Sequence, residues 1–439
     1  MSVARYKGEM KDSGIEWVGE IPEHWKTLRF GLSVFENKRK NKGMIESNVL
    51  SLSYGKIKKR NVESNLGLLP ASFETYQIVA KEDLIFRLTD LQNDKKSLRV
   101  GRATQKGIIT SAYLCVSCRK YFNSRYLYLL LHSYDKSKVF YSMGGGVRQS
   151  LTFSEFALLP VLLPPLPTQQ LIATYLDRKT QAIDALITAR EEQIARLQEK
   201  RASLIHRAVT KGIAEGVEMK DSGIEWIGEI PKHWATLRLG LATSQNKRNN
   251  KGMVENNVLS LSYGRIKKRN VESNMGLLPA SFETYQIVEE EDLIFRLTDL
   301  QNDKKSLRVG RATQRGIITS AYLCLRCRSF ADSQYFYLLL HDYDLAKVFY
   351  SMGGGVRQSL TYSEFAILPV VLPPLDEQKR IASYVFTKRQ QIDSVITALK
   401  ESITTLKEYR QSLITEAVTG KLDPQAMQAY LDKPSTIEQ

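Results

Sequence analysis

The sequence contains no long hydrophobic run and only a few cysteines. No stretch of about 18 consecutive apolar residues occurs, so we expect no membrane-spanning helix. Residues Met1 to Lys11 are polar and lack the apolar core of a signal peptide, which predicts a cytoplasmic location. Four cysteines in 439 residues are too few for a disulfide framework. The fold must therefore rest on hydrophobic cores, for which a hydrophobic content of 43% is ample.

Motifs of several enzyme classes are also missing. The glycines 144–146 lack the Lys-Ser/Thr ending of a nucleotide-binding loop and the spacing of a dinucleotide fingerprint. They form either a tight loop that lets the backbone approach DNA or a flexible turn. The sequence also lacks the Asn/Asp-Pro-Pro-Tyr/Phe segment with which an amino-methyltransferase holds a flipped base. We therefore expect a binding or scaffolding subunit with no catalytic residues of its own.

The few cysteines and histidines do not suggest a metal centre. The pairs Cys115–Cys118 and Cys324–Cys327 have zinc-like spacing, but they lie 209 residues apart and each follows an apolar segment, where cysteine is an ordinary core residue. His24 and His233 each precede a tryptophan, which indicates packing at a domain entry. We expect no metal site.

The charge points to a polyanionic partner. The chain carries 63 Lys and Arg against 47 Asp and Glu, a formal net charge of +16 and a pI of about 9.4. Nucleic acid is the first candidate for such a surplus. The alternative is a soluble basic protein with scattered lysines.

The chain is a tandem repeat. Met10–Trp17 recurs as Met219–Trp226, and the offset of 209 continues without a gap to Thr210 and Thr419. Each repeat consists of a globular domain followed by a long helix, and the polar tail from 420 onward is expected to be frayed. The predicted boundaries are 1–166 for the first domain, 167–211 for its helix, 212–375 for the second domain, 376–421 for its helix and 422–439 for the tail.

The two helices are predicted over 169–210 and 378–419. Apolar residues recur at alternating steps of four and three, as in a coiled coil, with polar interruptions that include Arg201 and Arg410. These arginines either pair with carboxylates across the seam, fix its register and antiparallel sense, or extend their charged ends into solvent. A seam of about 60 Å needs a partner, and the other copy is the nearest. The predicted class is α+β, with two pseudo-twofold-related α+β domains joined by two long antiparallel coiled-coil helices.

Within each globular domain, apolar segments alternate with basic loops. Asn48–Tyr54, Asp83–Leu88 and Gly107–Cys115 have the pattern of strands, and Tyr126–His132 that of a helix.

Three segments follow these elements and are rich in residues that contact DNA. They are Lys56–Arg60, Asp90–Arg99 with Arg102 just beyond it, and the glycine-rich 144–149. Lys58, Lys59, Lys95 and Lys96 are expected at phosphates, whereas Arg, Asn and Gln suit base edges. The candidate DNA-binding residues are Tyr54, Lys56, Lys58, Lys59, Arg60, Arg87, Gln92, Asn93, Lys95, Lys96, Arg99, Arg102, Arg148 and Gln149, with their copies Tyr263, Arg265, Lys267, Lys268, Arg269, Arg296, Gln301, Asn302, Lys304, Lys305, Arg308, Arg311, Arg357 and Gln358.

Several long motifs resemble one family. Asp12–Trp25 resembles the opening of a target-recognition domain in the DNA specificity subunits of type I restriction-modification systems. Leu163–Asp177 and Leu372–Tyr384 resemble that family's entry into its conserved helix, and Arg148–Phe156 resembles the segment before it. The resemblance covers residues 10 to 421.

The resemblance implies a sequence-specific DNA-recognition subunit. Its two target-recognition domains would each read half of a bipartite sequence in double-stranded DNA, and its helices would set the gap and dock two methyltransferase subunits. S-adenosylmethionine is expected in the methyltransferase partner, and ATP with Mg²⁺ in a restriction-motor partner where one is present. No cofactor is expected in this chain.

One departure from the family pattern affects the target. Family members usually carry two dissimilar recognition domains, whereas here the domains are near-copies, with Lys56 becoming Arg265 but 58–60 recurring unchanged. We therefore expect a palindromic, gapped target. Differences such as Lys81 to Glu290 lie outside the three loops and can unbalance the two affinities. The alternative functions are a non-catalytic coiled-coil scaffold and a basic DNA-binding protein without a modification partner.

Overall fold

The computed structural model divides the chain into two compact units. The first contains residues 1–190 and 401–439, and the second contains residues 191–400. Each unit therefore combines one globular repeat with part of each long helix. The residues described are 4–61, 70, 72–91, 98–143, 150–269, 281–300, 307–352 and 359–434.

The first unit is a mixed α+β structure, as predicted. Its largest sheet has four antiparallel strands in the order β4-β11-β8-β9, and the remaining strands pair as β1-β2, β3-β12, β5-β6 and β7-β10. The strands are β1 Met10–Asp12, β2 Glu20–Pro22, β3 Lys26–Arg29, β4 Val34–Glu36, β5 Leu50–Ser53, β6 Lys56–Lys59, β7 Gln77–Val79, β8 Leu84–Phe86, β9 Val100–Arg102, β10 Gly107–Ile109, β11 Leu114–Cys118 and β12 Pro160–Leu163; the helices are α1 Phe30–Ser33, α2 Ser124–Lys136, α3 Phe153–Phe156 and α4 Leu166–Lys211.

The second unit repeats this topology. Its four-stranded sheet has the order β16-β23-β20-β21, the counterpart of the first. Its strands are β13 Met219–Asp221, β14 Glu229–Pro231, β15 Ala235–Arg238, β16 Thr243–Gln245, β17 Leu259–Ser262, β18 Arg265–Lys268, β19 Gln286–Val288, β20 Leu293–Phe295, β21 Val309–Arg311, β22 Gly316–Ile318, β23 Leu323–Cys327 and β24 Pro369–Leu372; the later helices are α5 Leu239–Ala242, α6 Ser333–Leu345, α7 Tyr362–Ala366, α8 Leu375–Val418 and α9 Pro424–Leu431.

Two details of the sequence prediction were wrong. The segment Gly107–Cys115 is not one strand, because a turn closed by the Tyr113 N–H donating to the Thr110 carbonyl (3.2 Å) separates β10 from β11. The segment Lys56–Arg60 is not a loop, because 56–59 form β6. The strands at β5 and β8 and the helix α2 are confirmed.

Aromatic side chains fill the core of each globular repeat. In the first unit the Phe156 ring packs against those of Phe30 and Phe86, each at a centroid distance of 5.0 Å. Trp25 and Trp234 are buried, whereas His24 and His233 are exposed, so the packing predicted at each domain entry is confirmed for the tryptophans and not for the histidines.

Two of the four cysteines are core residues, as predicted, and Cys118 and Cys327 are half-buried. Cys115 and Cys324 are buried in strands β11 and β23. Burial raises the pKa of Cys118 to about 12, so its thiol stays protonated. Within the described ranges, no three His, Cys, Asp or Glu side chains are grouped to hold a metal ion.

The long helices begin and end close to the predicted residues, and each unit contains an ion pair between them. In the first unit Arg410 Nε lies 3.0 Å from Asp184 Oδ1, and in the second unit Arg201 pairs with Asp393. Of the alternatives for the two arginines, pairing with a carboxylate is therefore the one observed. In the second unit Leu204 follows Arg201 in α4, and Tyr384 precedes Asp393 in α8. Leu204 and Tyr384 line the same groove, so the two helices run antiparallel there. In the described part of the chain, no helix combines the length and apolar content needed to cross a membrane.

The tail is not frayed where the structure describes it. Helix α9 packs against the first turns of α4, where the Tyr430 ring meets the Tyr175 ring edge-on at 5.5 Å. Arg178 donates hydrogen bonds to the carbonyls at the end of α9, including that of Leu431 (2.8 Å). Arg178 therefore satisfies carbonyls that the helix end leaves unpaired.

Candidate nucleic-acid interface

The hairpin β5–β6 presents a polar face. Its strands pair with Ser51 opposite Lys58 and Ser53 opposite Lys56. Side chains alternate between the two faces of a strand, and the hairpin buries Leu50 and Ile57 in the core. Ser51, Ser53, Lys56 and Lys58 therefore lie on the opposite face. Short hydroxyls between lysine side chains leave the ammonium groups accessible, as binding to phosphates requires.

A two-residue turn, Tyr54–Gly55, closes this hairpin. Both residues have positive φ, 47° and 76°, as a type I′ turn requires. Tyrosine is a strained choice at this position, and its side chain is 75% exposed. The second unit repeats the arrangement, with Tyr263 at φ 48° and 80% exposed. Two predicted contact residues are thus at the tips of rigid hairpins.

The hairpin is fixed to its domain by contacts with β9 and α2. A Cβ on Gly101 would lie 2.6 Å from Leu52 Cδ1 and 2.8 Å from Ile57 Cδ1, so glycine is needed for β9 to approach this closely. The Tyr128 hydroxyl also donates a hydrogen bond to the Gly55 carbonyl (3.0 Å). The hairpin is therefore positioned before any ligand binds.

A cleft of about 650 Å³ in the first unit lies between the hairpin, α2 and the long helices. Lys56, Arg102, Arg125 and Arg410 contribute positive charge to its wall. Burial, followed by the nearby cations, lowers the pKa of the cleft residue His132 to about 4, which keeps its ring neutral at physiological pH. Asp177 and Asp184 also line the cleft and pair with Arg125 and Arg410, so the excess positive charge of this recess comes from Lys56 and Arg102.

The corresponding cleft of the second unit differs. Its volume is about 420 Å³, and it is lined by Arg265, Arg311 and Arg389. In the first unit Arg125 Nε donates to Asp177 Oδ1 (2.7 Å), whereas the second unit has Gln334 and Phe386 at these positions. The hairpins are therefore alike, but the recesses beside them are not.

Arg99 and Arg308 do not fit their predicted role at base edges. Both are fully buried. Arg99 donates from Nη1 to the Thr89 carbonyl (3.1 Å) and from Nη2 to the Asp90 carbonyl (3.0 Å), and Arg308 makes the same two bonds in the second unit. Asp90 is in the left-handed region at φ 57°. These arginines hold a turn inside the domain, so we correct their assignment to a structural one.

Arg102 and Arg311 each form hydrogen bonds with a glutamate of their own domain. Arg102 Nε donates to Glu82 Oε2 (2.9 Å), and Arg311 Nη2 donates to Glu291 Oε1 (3.0 Å). Both line the clefts, so they combine positioning with a partly exposed charge. Arg87 is half-buried and stays a predicted contact, as does its copy Arg296.

The remaining candidates of the first repeat beside the hairpin turn are Lys59, which is exposed, and Arg60, which is half-buried. In the second repeat Arg265, Lys267 and Lys268 are exposed and Arg269 is half-buried. Twelve candidates lie outside the described residues: Gln92, Asn93, Lys95, Lys96, Arg148, Gln149, Gln301, Asn302, Lys304, Lys305, Arg357 and Gln358.

The sequence analysis missed one basic segment. Lys38, Arg39, Lys40 and Lys42 are all exposed and lead directly into β5 by way of an exposed loop. The signal was present as four basic residues within five positions. The segment was not predicted as a contact because it precedes the predicted strand Asn48–Tyr54, whereas the three predicted segments follow such elements.

Comparison with known sequences gives a family. Residues 22–196 match the family model described as the type I restriction modification DNA specificity domain. The putative type I restriction enzyme MjaX specificity subunit of Methanocaldococcus jannaschii is 22% identical over 424 residues, which cover 92% of this chain and 95% of that protein. The MjaVIII specificity subunit of the same organism is also 22% identical, with coverage of 92% and 94%.

Solved structures share the fold. One chain, from a study of complex assembly and conformational transition of the type I R-M system, has a TM-score of 0.65 at 16% identity and covers 92% of this chain and 99% of its own length. The HsdS subunit from Thermoanaerobacter tengcongensis has a TM-score of 0.53 at 16% identity, with coverage of 92% and 98%.

The similarity to curated type I specificity subunits therefore extends over 92% of the chain. The family match itself covers residues 22–196, which lie within the first repeat and its long helix.

Proposed function

We propose that the chain is the DNA specificity subunit of a type I restriction-modification system and reads a gapped palindrome, with each globular repeat binding one half-site. The observation that carries the proposal is the equivalence of the two hairpins. Tyr54 and Tyr263 are both left-handed and exposed, and Lys58 and Lys267 occupy the same register position opposite a serine. Equivalent surfaces at equivalent positions should select the same bases.

The long helices are the proposed docking surface for two methyltransferase subunits. Both helices leave large apolar side chains exposed, among them Leu186 in the first unit and Phe386 and Val395 in the second. Exposed apolar groups on rigid helices suit a protein partner. S-adenosylmethionine would be bound by that partner, and ATP with Mg²⁺ by a restriction-motor subunit where the host has one.

The difference between the two clefts supports unequal affinity for two identical half-sites. Where the first repeat has Asp177 the second has Phe386, which lacks the negative charge beside the hairpin. Where the first repeat has Arg125 the second has Gln334, which lacks the positive charge. Because both positions lie beside the hairpin and not on it, they should affect strength of binding more than choice of bases.

The experiment is a genome-wide map of adenine methylation in cells that express the chain with its methyltransferase subunit. The proposal predicts modified adenines in one symmetric, gapped motif. A gapped motif with unlike halves would exclude the palindrome but keep the recognition role. If the complex assembles and no new methylation appears, the helices would instead serve as a scaffold for other proteins.

A further inference from the structure

The loop between β4 and β5 exposes apolar side chains at its tip. Met44 and Ile45 are 58% and 74% exposed, and their copies Met253 and Val254 are 57% and 69% exposed. Single exposed apolar residues are common on protein surfaces. Two adjacent exposed apolar residues at a loop tip, present in both repeats, are less common.

This tip is held rigidly. Buried Asn41 donates from Nδ2 to the Glu46 carbonyl (2.9 Å) and accepts at Oδ1 from the Glu46 N–H (3.0 Å), which closes the loop at its base. The Gly43 N–H donates to Glu74 Oε1 (2.8 Å), and the Met44 N–H donates to the Asn41 carbonyl (3.0 Å). Met44 is left-handed at φ 48°. The apolar pair is therefore held out into solvent by a braced loop.

The second unit has the same bracing. Asn250 makes the same pair of bonds to Glu255, at 2.9 and 3.0 Å. Gly252 donates to Glu283 Oε1 (2.9 Å), and Met253 is left-handed at φ 51°. The geometry is preserved although Ile45 is replaced by the smaller Val254.

Cations surround the tip. Lys38, Arg39, Lys40 and Lys42 are exposed on the approach to it, and Lys106 pairs with Glu46 at 3.3 Å. In the second unit Lys247, Arg248, Lys251 and Arg315 take these places. Carboxylates are also present, since Glu36 accepts from Lys38 at 2.9 Å in the first unit and Glu289 from Arg248 at 2.7 Å in the second. Glu46 and Glu74 in the first unit, and Glu255 and Glu283 in the second, are further carboxylates at the tip, so the named cations outnumber the carboxylates by five to three and by four to three.

The loop is continuous with the predicted phosphate-binding hairpin. It leads into β5, and at its far end the Arg60 N–H donates to the Val49 carbonyl (2.8 Å). Arg60 and the end of β6 therefore lie where the loop joins the strand. A partner bound along the lysines of β6 would extend toward the tip.

We propose that Met44–Ile45 and Met253–Val254 are apolar wedges that insert at a base step of the bound DNA. Proteins that kink DNA insert exposed apolar side chains between bases while nearby cations bind the flanking phosphates. A rigid tip suits this role, because a flexible one would lose conformational entropy on insertion. This inference rests on the proposed DNA-recognition function and adds local distortion of the target to it.

The test uses the complex assembled with its methyltransferase subunit and duplexes carrying the motif from the methylation map. 2-Aminopurine is placed at successive positions other than the methylated adenine, and fluorescent labels at the duplex ends report bending. The test variant is M44N/I45S/M253N/V254S, in which asparagine tolerates the left-handed backbone and so preserves the loop. The wild type should show increased 2-aminopurine fluorescence at one step in each half-site.

The variant should lose both this signal and the bend. Its affinity should fall roughly tenfold for each wedge lost, since burying two such side chains favours binding by about a hundredfold or more and unstacking the base step offsets part of that gain. The variant M44L/I45L/M253L/V254L should keep both, because it remains apolar. The control L158A/I367A changes residues that are 58% and 57% exposed elsewhere on the same domains, and should leave both unchanged.

Two results would overturn the wedge. One is an unchanged fluorescence and affinity in the M44N/I45S/M253N/V254S variant while the complex still prefers the motif over a scrambled duplex. Another is failure of this variant to assemble with the methyltransferase subunit while bound DNA stays distorted, which would make the tip a protein contact. If the wild-type complex shows no preference for the motif, the proposed function itself fails.

Discussion

Replacing Lys58 and Lys267 by glutamine is expected to weaken DNA binding in a salt-dependent way. The two lysines lie on the outward faces of β6 and β18, opposite Ser51 and Ser260. Each phosphate neutralised by a protein contributes about 0.9 to the slope of log affinity against log salt. Removing two such contacts should therefore reduce the slope by about two.

The same relation gives the loss of affinity. Extrapolated from about 1 M salt, where counterion release contributes little, to about 0.1 M, a slope change of about two corresponds to a loss of roughly a hundredfold. The loss should be similar for the motif and for a scrambled duplex, because phosphate contacts do not distinguish sequences.

Fluorescence anisotropy at several salt concentrations would measure this. The matched control is Arg29→Gln with Arg238→Gln, which removes the same number of exposed charges at equivalent positions in β3 and β15. We expect the control to bind like the wild type. An unchanged slope in the lysine variant, or an equal reduction in the control, would refute the assignment of phosphates to the hairpins.

Three other predictions follow from buried and paired charges. Arg99→Ala should destabilise the first unit by about 3 kcal/mol or more in chemical unfolding, since it leaves buried carbonyls unpaired, whereas Arg29→Ala should have little effect. Burial raises the pKa of Asp135 from 3.8 to about 6, so its contribution to stability is present below the lower value and is lost as pH rises through about 6. Asp135→Asn should remove that part of the pH dependence of the unfolding temperature, and a parallel pH profile would contradict this. A double-mutant cycle between Asp184 and Arg410 should give a coupling of about 1 kcal/mol or less, because the pair is partly exposed; a coupling of about 3 kcal/mol or more, as for a buried pair, would contradict this.

The sequence predicted the long helices well because their signal is local and repeated. Apolar spacing of four and three persists through each helix, and each has a proline-rich entry and no internal proline or glycine after its first turn. The offset of 209 made the second repeat predictable from the first. These features need no knowledge of tertiary contacts.

Strands were less predictable where the turn signals were weak. Tyr54–Gly55 lacks the asparagine or aspartate before glycine that usually marks a two-residue hairpin, so β6 was interpreted as a loop. The turn between β10 and β11 lies inside an apolar segment and contains neither glycine nor proline. Both errors come from turns stabilised by their surroundings.

The site was less predictable than the fold, because residue type does not determine exposure. Arg99 has the composition of a DNA contact, but the carbonyls of Thr89 and Asp90 draw its guanidinium into the core. Met44 and Ile45 have the composition of a core, but the Asn41 bonds hold them outside. The tail was predicted to fray because the docking site for α9 on α4 is not visible in a polar sequence.

The central claim is that both repeats read the same half-site, and an exchange of repeats tests it most directly. Replacing residues 10–165 by a second copy of 219–374 would give a chain with two identical recognition domains. A methylation map of cells with this chain and its methyltransferase subunit should show the same gapped motif as the wild type. A change from an asymmetric to a symmetric motif would contradict the claim, since it would show that the two natural repeats read different bases.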